Sequence, residues 1–219
     1  MAGPLSDGPD EALAALTAAI AAAGADAVRR GLVLASGGNL SARIPGRDAF
    51  VVTARGTWLD SLGGPADVAV VGMDGSWDPS GPVPSSEWKL HWRTYQARPD
   101  AGAIIHLHPQ MAVLLDALGH PIRLLTRDHA LYVRRVARVP FFDNETDELA
   151  DVAAAAALES DAIVLAFHGC SSIGATVRDA YRVALNLEEA AQATFRMLQL
   201  GDTTTAFPPD ALEALVRGG

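Results

Sequence analysis

Apolar positions along this chain follow two rhythms. Ala101-Gly102-Ala103-Ile104-Ile105 and Ala162-Ile163-Val164-Leu165-Ala166-Phe167 are short, continuous and partly β-branched, the pattern of buried strands. Phe50-Val51-Val52-Thr53 and Val68-Ala69-Val70-Val71 read the same way, and Asp74-Gly75, between Val68–Met73 and Ser76-Trp77, signals a hairpin. Elsewhere the period is helical. Ala180, Val183, Ala184, Leu187, Ala191, Phe195 and Leu198 form one stripe, which predicts a long helix from about Thr176 to Leu200. Leu13, Leu16, Ile20 and Val28 predict a first helix from Asp10 to Arg30, ended by Gly31. Shorter helices are predicted from Ser85 to about Ala97, from Pro109 to Gly119, from near Thr146 through Ala157, and from Pro209 to Val216. Strands and helices interleave without a linker or repeat, so the expectation is one α/β or α+β domain. Residues 1–9, mixing Gly, Pro, Ser and Asp, read as a frayed terminus, 10–201 as the domain, and 202–219 as a tail with a short helix.

Composition narrows the functional classes. A length of 219 residues with 49% apolar and 20% charged positions suits a globular domain with a sizeable core. The net charge of −9 argues against binding nucleic-acid phosphates, and the short basic pairs Arg29-Arg30 and Arg134-Arg135 read as solvated surface. No apolar stretch is expected to reach bilayer-spanning length, and the alanine-rich segment Ala12 to Ala27 lacks the cationic lead-in of a signal peptide. One cysteine, Cys170, rules out an internal disulfide, fits a reducing cytoplasm, and reads as a small buried residue rather than a nucleophile.

The chemistry concentrates in three histidines. His106 and His108, two apart at the end of an apolar run, point to one face of a strand and can share a point in space. His168 closes the second run. Three imidazoles with a free fourth position suit a catalytic zinc or similar divalent metal. Glu87, near a helix start, is a candidate proton shuttle if a dry pocket raises its pKa; the bland alternative is ordinary helix-start chemistry. His91, one helical turn beyond Glu87, is expected to pack or to support the site, His120 to be exposed, and His129 to be structural. Neither a Walker loop nor a Gly-x-Gly-x-x-Gly motif is present, so no nucleotide cofactor is indicated.

Motif order gives the reading a direction. Ser-Gly-Gly-Asn-Leu-Ser-Ala-Arg (36–43), Thr-x-x-Gly (53–56), Pro-Ser-Ser-Glu-Trp-Lys-Leu-His (84–91), Arg-Pro-Asp (98–100), His-Leu-His-Pro (106–109), His-Gly (168–169) and the closing helix with Leu187-Glu188-Glu189-Ala190-Ala191 together resemble the class II aldolase/adducin family over about residues 10–201. The resemblance implies a three-layer α/β/α fold around a mainly antiparallel sheet, and fourfold-symmetric homotetramers with sites near subunit boundaries. It implies His106, His108 and His168 as metal ligands, Glu87 as catalytic acid/base, and Asn39, Ser85 and Ser86 with the Gly37-Gly38 backbone as the holders of a substrate phosphate. One divalent metal per subunit follows, foremost Zn²⁺, with Mn²⁺, Fe²⁺ or Co²⁺ also able to serve. The expected reaction is retro-aldol cleavage of a small hydroxy-carbonyl substrate, such as a phosphorylated sugar, through a metal-stabilised enediolate.

The second phosphate loop departs from the family's usual Thr-Pro-Ser/Thr-Gly, reading Thr53-Ala54-Arg55-Gly56. Arg55 and Gly56 are expected at the substrate, where Arg55 would grip a phosphate or carboxylate, or fill the phosphate pocket. That keeps decarboxylation, dehydration and epimerisation open beside aldol cleavage, with a non-catalytic adducin-like interaction module as the further alternative. The family's acid tyrosine has no match: Thr126 lies nearest its place and Tyr132 a few residues on.

Overall fold

The computed structural model describes residues 9–217, so the expectation for the N-terminal stretch falls outside them except at Pro9, which begins the first helix. The elements are α1 (Pro9–Arg29), β1 (Asn39–Arg43), β2 (Ala49–Thr53), a 3₁₀ turn (Pro65–Asp67), β3 (Val68–Gly72), α2 (Trp88–Ala97), β4 (Ala103–Leu107), α3 (Gln110–Ala117), α4 (Arg127–Tyr132), β5 (Val136–Val139), α5 (Asp147–Ala157), β6 (Ala162–Leu165), β7 (Gly169–Gly174), α6 (Val177–Gln199) and α7 (Pro209–Arg217). The seven strands form one sheet in the order β3-β2-β1-β4-β7-β6-β5, antiparallel throughout except for the parallel pair β5–β6.

Period-two alternation divides the core between the two faces. Leu40, Ala42, Val51, Ile105 and Leu107 pack with Ile20 and Ala27 of α1 and Ala180 and Ala184 of α6. Phe50, Val52, Ile104, Ile163 and Ile173 pack on the other face with Leu90 and Tyr95 of α2 and Leu149 and Ala153 of α5. Helices therefore cover both faces of a mainly antiparallel sheet, the three-layer α/β fold that the motifs imply. A third cluster joins Ala112 and Leu115 of α3 to Leu187 and Ala191 of α6, over Val164 and Cys170.

Several boundaries differ from the sequence reading. Strand β7, which lies between β4 and β6, escapes the apolar pattern, as do β5 and the six-residue α4. The Ser76-Trp77 arm of the expected hairpin is reduced to a single bridge between Trp77 and Val71, although Gly75 turns the chain at φ +83°. Helix α2 starts at Trp88, leaving Ser85 and Ser86 before it and Glu87 at its N-cap position. Likewise Pro109 occupies the N-cap of α3 rather than its first turn. By length and composition alone Glu11–Arg29 could cross a membrane, with mean hydropathy 1.5, which overturns the expectation that no stretch is long and apolar enough. Much of that apolarity is alanine, and the helix lays Ile20, Ala23 and Ala27 on the sheet core.

Candidate metal centre and active site

The antiparallel register assembles the centre. His106 stands opposite Asn39 on β1 and Ser171 on β7, so it sits in the middle of the sheet, wholly buried. His108 follows two residues later, just past the end of β4 and on the same side. His168 comes from the tight turn between β6 and β7 rather than from a strand end, because β6 stops at Leu165. Phe167, immediately before it, takes φ +58° while 62% exposed; Glu145, also at positive φ, lines the adjoining cavity, and Ala35, likewise at positive φ, directly precedes the lining residue Ser36. Such strain at non-glycine residues gathers where a site over-determines the backbone. Two glycines make room for the imidazoles. A Cβ on Gly169 would lie 2.5 Å from Leu107 O and 2.6 Å from His108 Cδ2, and one on Gly38, at φ +71°, would lie 2.7 Å from His106 O.

One ligand atom each from Glu87, His106, His108 and His168 falls within 4.8 Å of the others. His106 Nε2 and His108 Nε2 are 3.1 Å apart, close to the roughly 3.3 Å expected for two nitrogens on one tetrahedral zinc. His168 Nε2 lies 3.1 Å from Glu87 Oε1 but is misaligned for a hydrogen bond, so both atoms are buried without a hydrogen-bond partner among the described residues. Burial pushes the His106 and His108 imidazoles below their ordinary pKa, towards the neutral form that ligates metal, while the Glu87 carboxylate pulls the other way. Orphaned buried nitrogens converging with a carboxylate are costly unless something fills the gap, and a divalent cation fits that donor set.

Glu87 behaves differently from the sequence expectation. Burial alone would raise its carboxyl, but the neighbouring His106 and His168 imidazoles and the Asn39 amide outweigh that and hold it well below the usual carboxylate range. It is therefore ionised, the form able to accept a proton, although a carboxyl held that low is a weak base.

The centre opens into a cavity of about 160 Å³ edged by Gly37, Gly38, Gly56, Ser85 and Ser86, with Ser36, Thr57, Asn144 and Glu145 as lining residues that the sequence reading missed. None of the lining side chains is a lysine or arginine. Arg55 is exposed and absent from the lining, so the guanidinium expected at the substrate turns outward. Asn39 also lines the cavity, where its side chain is bonded to Glu87 and His91 and only 2% exposed. A larger apolar groove of about 600 Å³ beside α1 holds none of these residues, so size does not locate the chemistry here.

The other singled-out groups lie elsewhere. His91 is fully buried behind Glu87, and His120 is exposed. His129 is buried in α4, where it accepts backbone N–H groups at the Thr126 cap and pairs with Glu189. Cys170 is buried in the α3–α6 cluster, where burial pushes its thiol up and away from nucleophilicity. Arg29 and Arg30 pair with Asp26, and Arg135 pairs with Glu159.

Comparison with known proteins then supplies a lineage. The profile of the Class II Aldolase and Adducin N-terminal domain matches residues 18–195. The chain belongs to the class II aldolase and adducin family. It is 32% identical over 188 residues to the 5-methylthioribulose-1-phosphate/5-deoxyribulose-1-phosphate aldolase of Rhodospirillum rubrum, covering 85% of this chain and 82% of that protein. An L-fuculose phosphate aldolase of Methanococcus maripaludis is 31% identical over 173 residues, covering 79% and 92%. Among solved structures, the L-fuculose-1-phosphate aldolase of Thermus thermophilus superposes with TM-score 0.76 at 30% identity, covering 89% of this chain and 100% of that one. With relatives that are aldolases and the His/Glu cluster in place, the chain is an aldolase-type enzyme of the class II family.

Proposed function

We propose that this class II family member is a divalent-metal-dependent lyase that cleaves a carbon–carbon bond in a small phosphorylated hydroxy-carbonyl sugar. The observation that carries the reading is the convergence of Glu87, His106, His108 and His168 at the floor of a polar cavity edged by glycines and serines. The relatives point the same way: the two aldolases compared above act, by name, on sugar phosphates. His106, His108 and His168 would hold the cation, zinc being the first candidate for three imidazoles. When bound, the cation supplies Lewis-acid stabilisation of the negative charge that develops on the substrate oxygen as the neighbouring bond breaks.

The chain's own groups provide the rest. Glu87, ionised and with Oε1 unbonded, takes the proton from the substrate hydroxyl and returns it after cleavage. The Gly37-Gly38 backbone, Gly56, Ser85 and Ser86 receive the phosphate through N–H and O–H donors, without a lysine or arginine among the described lining residues. Arg55, lying outside the cavity, gives no support to a carboxylate-bearing substrate and so disfavours decarboxylation. Residues 10–201 form the catalytic domain on this reading, with 202–219 as a tail that docks through the Arg123–Asp202 pair and the Phe207–Leu124 backbone bond. The reading includes a cytoplasmic homotetramer, which would cover the exposed Leu34 and Trp58 beside the cavity. The test is elemental analysis of chelator-free protein followed by a screen of sugar phosphates. Stoichiometric divalent metal and two carbonyl fragments are expected. Loss of water, an inverted centre or release of CO₂ as the reaction seen would replace the lyase reading.

A further inference from the structure

Glu87 enters the cavity with one oxygen hydrogen-bonded and the other facing His168 Nε2 at 3.1 Å without an aligned hydrogen bond. Its Oε2 accepts a hydrogen bond from Asn39 Nδ2 at 2.9 Å, while Oε1 has no hydrogen-bond partner among the described residues. The tie continues into the core. Asn39 Oδ1 lies 2.5 Å from His91 Nε2, His91 Nδ1 lies 2.7 Å from Ser41 Oγ, and Ser41 Oγ lies 2.8 Å from Tyr95 OH. All four side chains are at most 2% exposed and sit among Phe50, Val52 and Ile104.

Chemistry fixes the direction of every bond. Asn39 donates its NH₂ to Glu87 Oε2, so its carbonyl oxygen, which can only accept, faces His91. His91 Nε2 must then carry the proton. Complete burial depresses His91 to about pKa 4, so the ring is neutral and its Nδ1 is bare. Ser41 must donate to that nitrogen, which leaves Tyr95 O–H to donate to Ser41. Every dipole thus points towards Glu87, and chained hydrogen bonds polarise one another in a low-dielectric interior.

We propose that Tyr95, Ser41, His91 and Asn39 form a one-way hydrogen-bond relay that positions Glu87, with His91 as the pivotal positioning residue: the relay anchors Oε2 and presents Oε1 as the proton-accepting oxygen. What Oε1 accepts rests on the lyase reading above; the relay itself does not. Buried polar groups on an otherwise apolar face are expensive unless each is satisfied. Satisfaction here comes through a single line that ends on the catalytic carboxylate rather than through local backbone bonds.

The first test reads the ring directly. ¹⁵N NMR of the histidine side chains in the metal-loaded wild-type protein, with His91 assigned by its loss in His91→Gln, should show a neutral Nε2–H tautomer at pH 7. An Nδ1–H tautomer or an imidazolium overturns the relay. The second test separates positioning from packing. His91→Phe should lower kcat for sugar-phosphate cleavage by about 10–100-fold, the range typical of lost supporting hydrogen bonds around a metal site, with KM and metal affinity within about twofold. His91→Gln, able both to donate and to accept, should recover part of the loss. Tyr95→Phe removes only the terminal hydroxyl and serves if His91→Phe does not fold; it should lower kcat a few-fold at unchanged KM and metal content. A raised KM, lost metal or unchanged kcat in a folded variant overturns the proposal. If wild type cleaves no sugar phosphate, the lyase reading fails and the tautomer still decides the relay.

Discussion

The two faces of strands β1 and β4 are made by alternate residues of the same short segments, yet they do opposite work. Towards α1 and α6 the strands present Leu40, Ala42, Ile105 and Leu107, an unbroken apolar surface. Towards α2 and α5 the next residues along are Asn39, Ser41 and His106, which meet Glu87, His91 and Tyr95. One face contributes stability that no particular partner owns, because apolar burial is non-directional. The other face holds polar groups whose positions are dictated by named hydrogen bonds. A period-two chain lets a sheet be both without either face disturbing the other's residue choice, and it places the chemistry only one residue away from the core that stiffens it.

Substitutions on the two faces should separate cleanly. His106→Ala should abolish stoichiometric metal, measured by elemental mass spectrometry, and with it all turnover, while the fold seen by circular dichroism persists. Glu87→Gln should keep the metal and lower kcat by about 10²–10⁴-fold, the usual worth of a positioned acid–base group; unchanged turnover would remove Glu87 from the mechanism. On the apolar face, Ile105→Ala should cost about 2–5 kcal/mol of stability in urea titration through cavity formation, and the folded protein should still bind one metal. Gly169→Ala tests the boundary between the faces. Its new Cβ would meet the Leu107 carbonyl, which is backbone and cannot swing away, so both stability and metal affinity should fall, stability by about 1–3 kcal/mol. Smallest of all, Arg55→Ala should change KM by less than about twofold if the side chain stays outside the cavity, as its exposure indicates; a tenfold rise would return Arg55 to the substrate site.

Legibility in the sequence follows the same division. His106 and His108 are readable because strand alternation alone puts them together, and Glu87 because it sits in a recognisable family motif. Strand β7, Gly-Cys-Ser-Ser-Ile-Gly, is invisible to an apolar pattern although it is a central strand. Its small residues answer to crowding instead: a Cβ on Gly174 would come within 2.3 Å of Ala180 N in α6, and Gly169 is hemmed in by β4. Strand β5 is four residues long and broken by Arg138, and α4 is too short to show a helical period, although its Thr126 cap was there to be read. Asn144 and Glu145 reach the cavity through a loop whose path depends on where α5 docks, which no local signal encodes. Arg55 shows the reverse failure. Its place in a motif suggested a role, while the side chain's direction, which no motif specifies, is outward and off the cavity lining.

The origin of His168 in a turn between β6 and β7 has a consequence for how the protein comes to exist. The candidate ligands His106 and His108 arrive together at the end of β4, but His168 arrives only after β7 has found β4, and the carboxylate only after α2 has docked across β1 through the Asn39–Glu87 bond, which joins residues 48 apart. No fragment ending before His168 contains all four residues of the centre. Contacts between distant segments form slowly because the loop entropy must be overcome first. On the proposed reading, metal capture would be a late event in folding, and a chain released from the ribosome would gain its affinity for the ion only with its last central strand in place. The ion would then act as a latch on a finished topology, and the rate at which a refolding sample takes up metal should report the slowest strand pairing rather than diffusion of the ion.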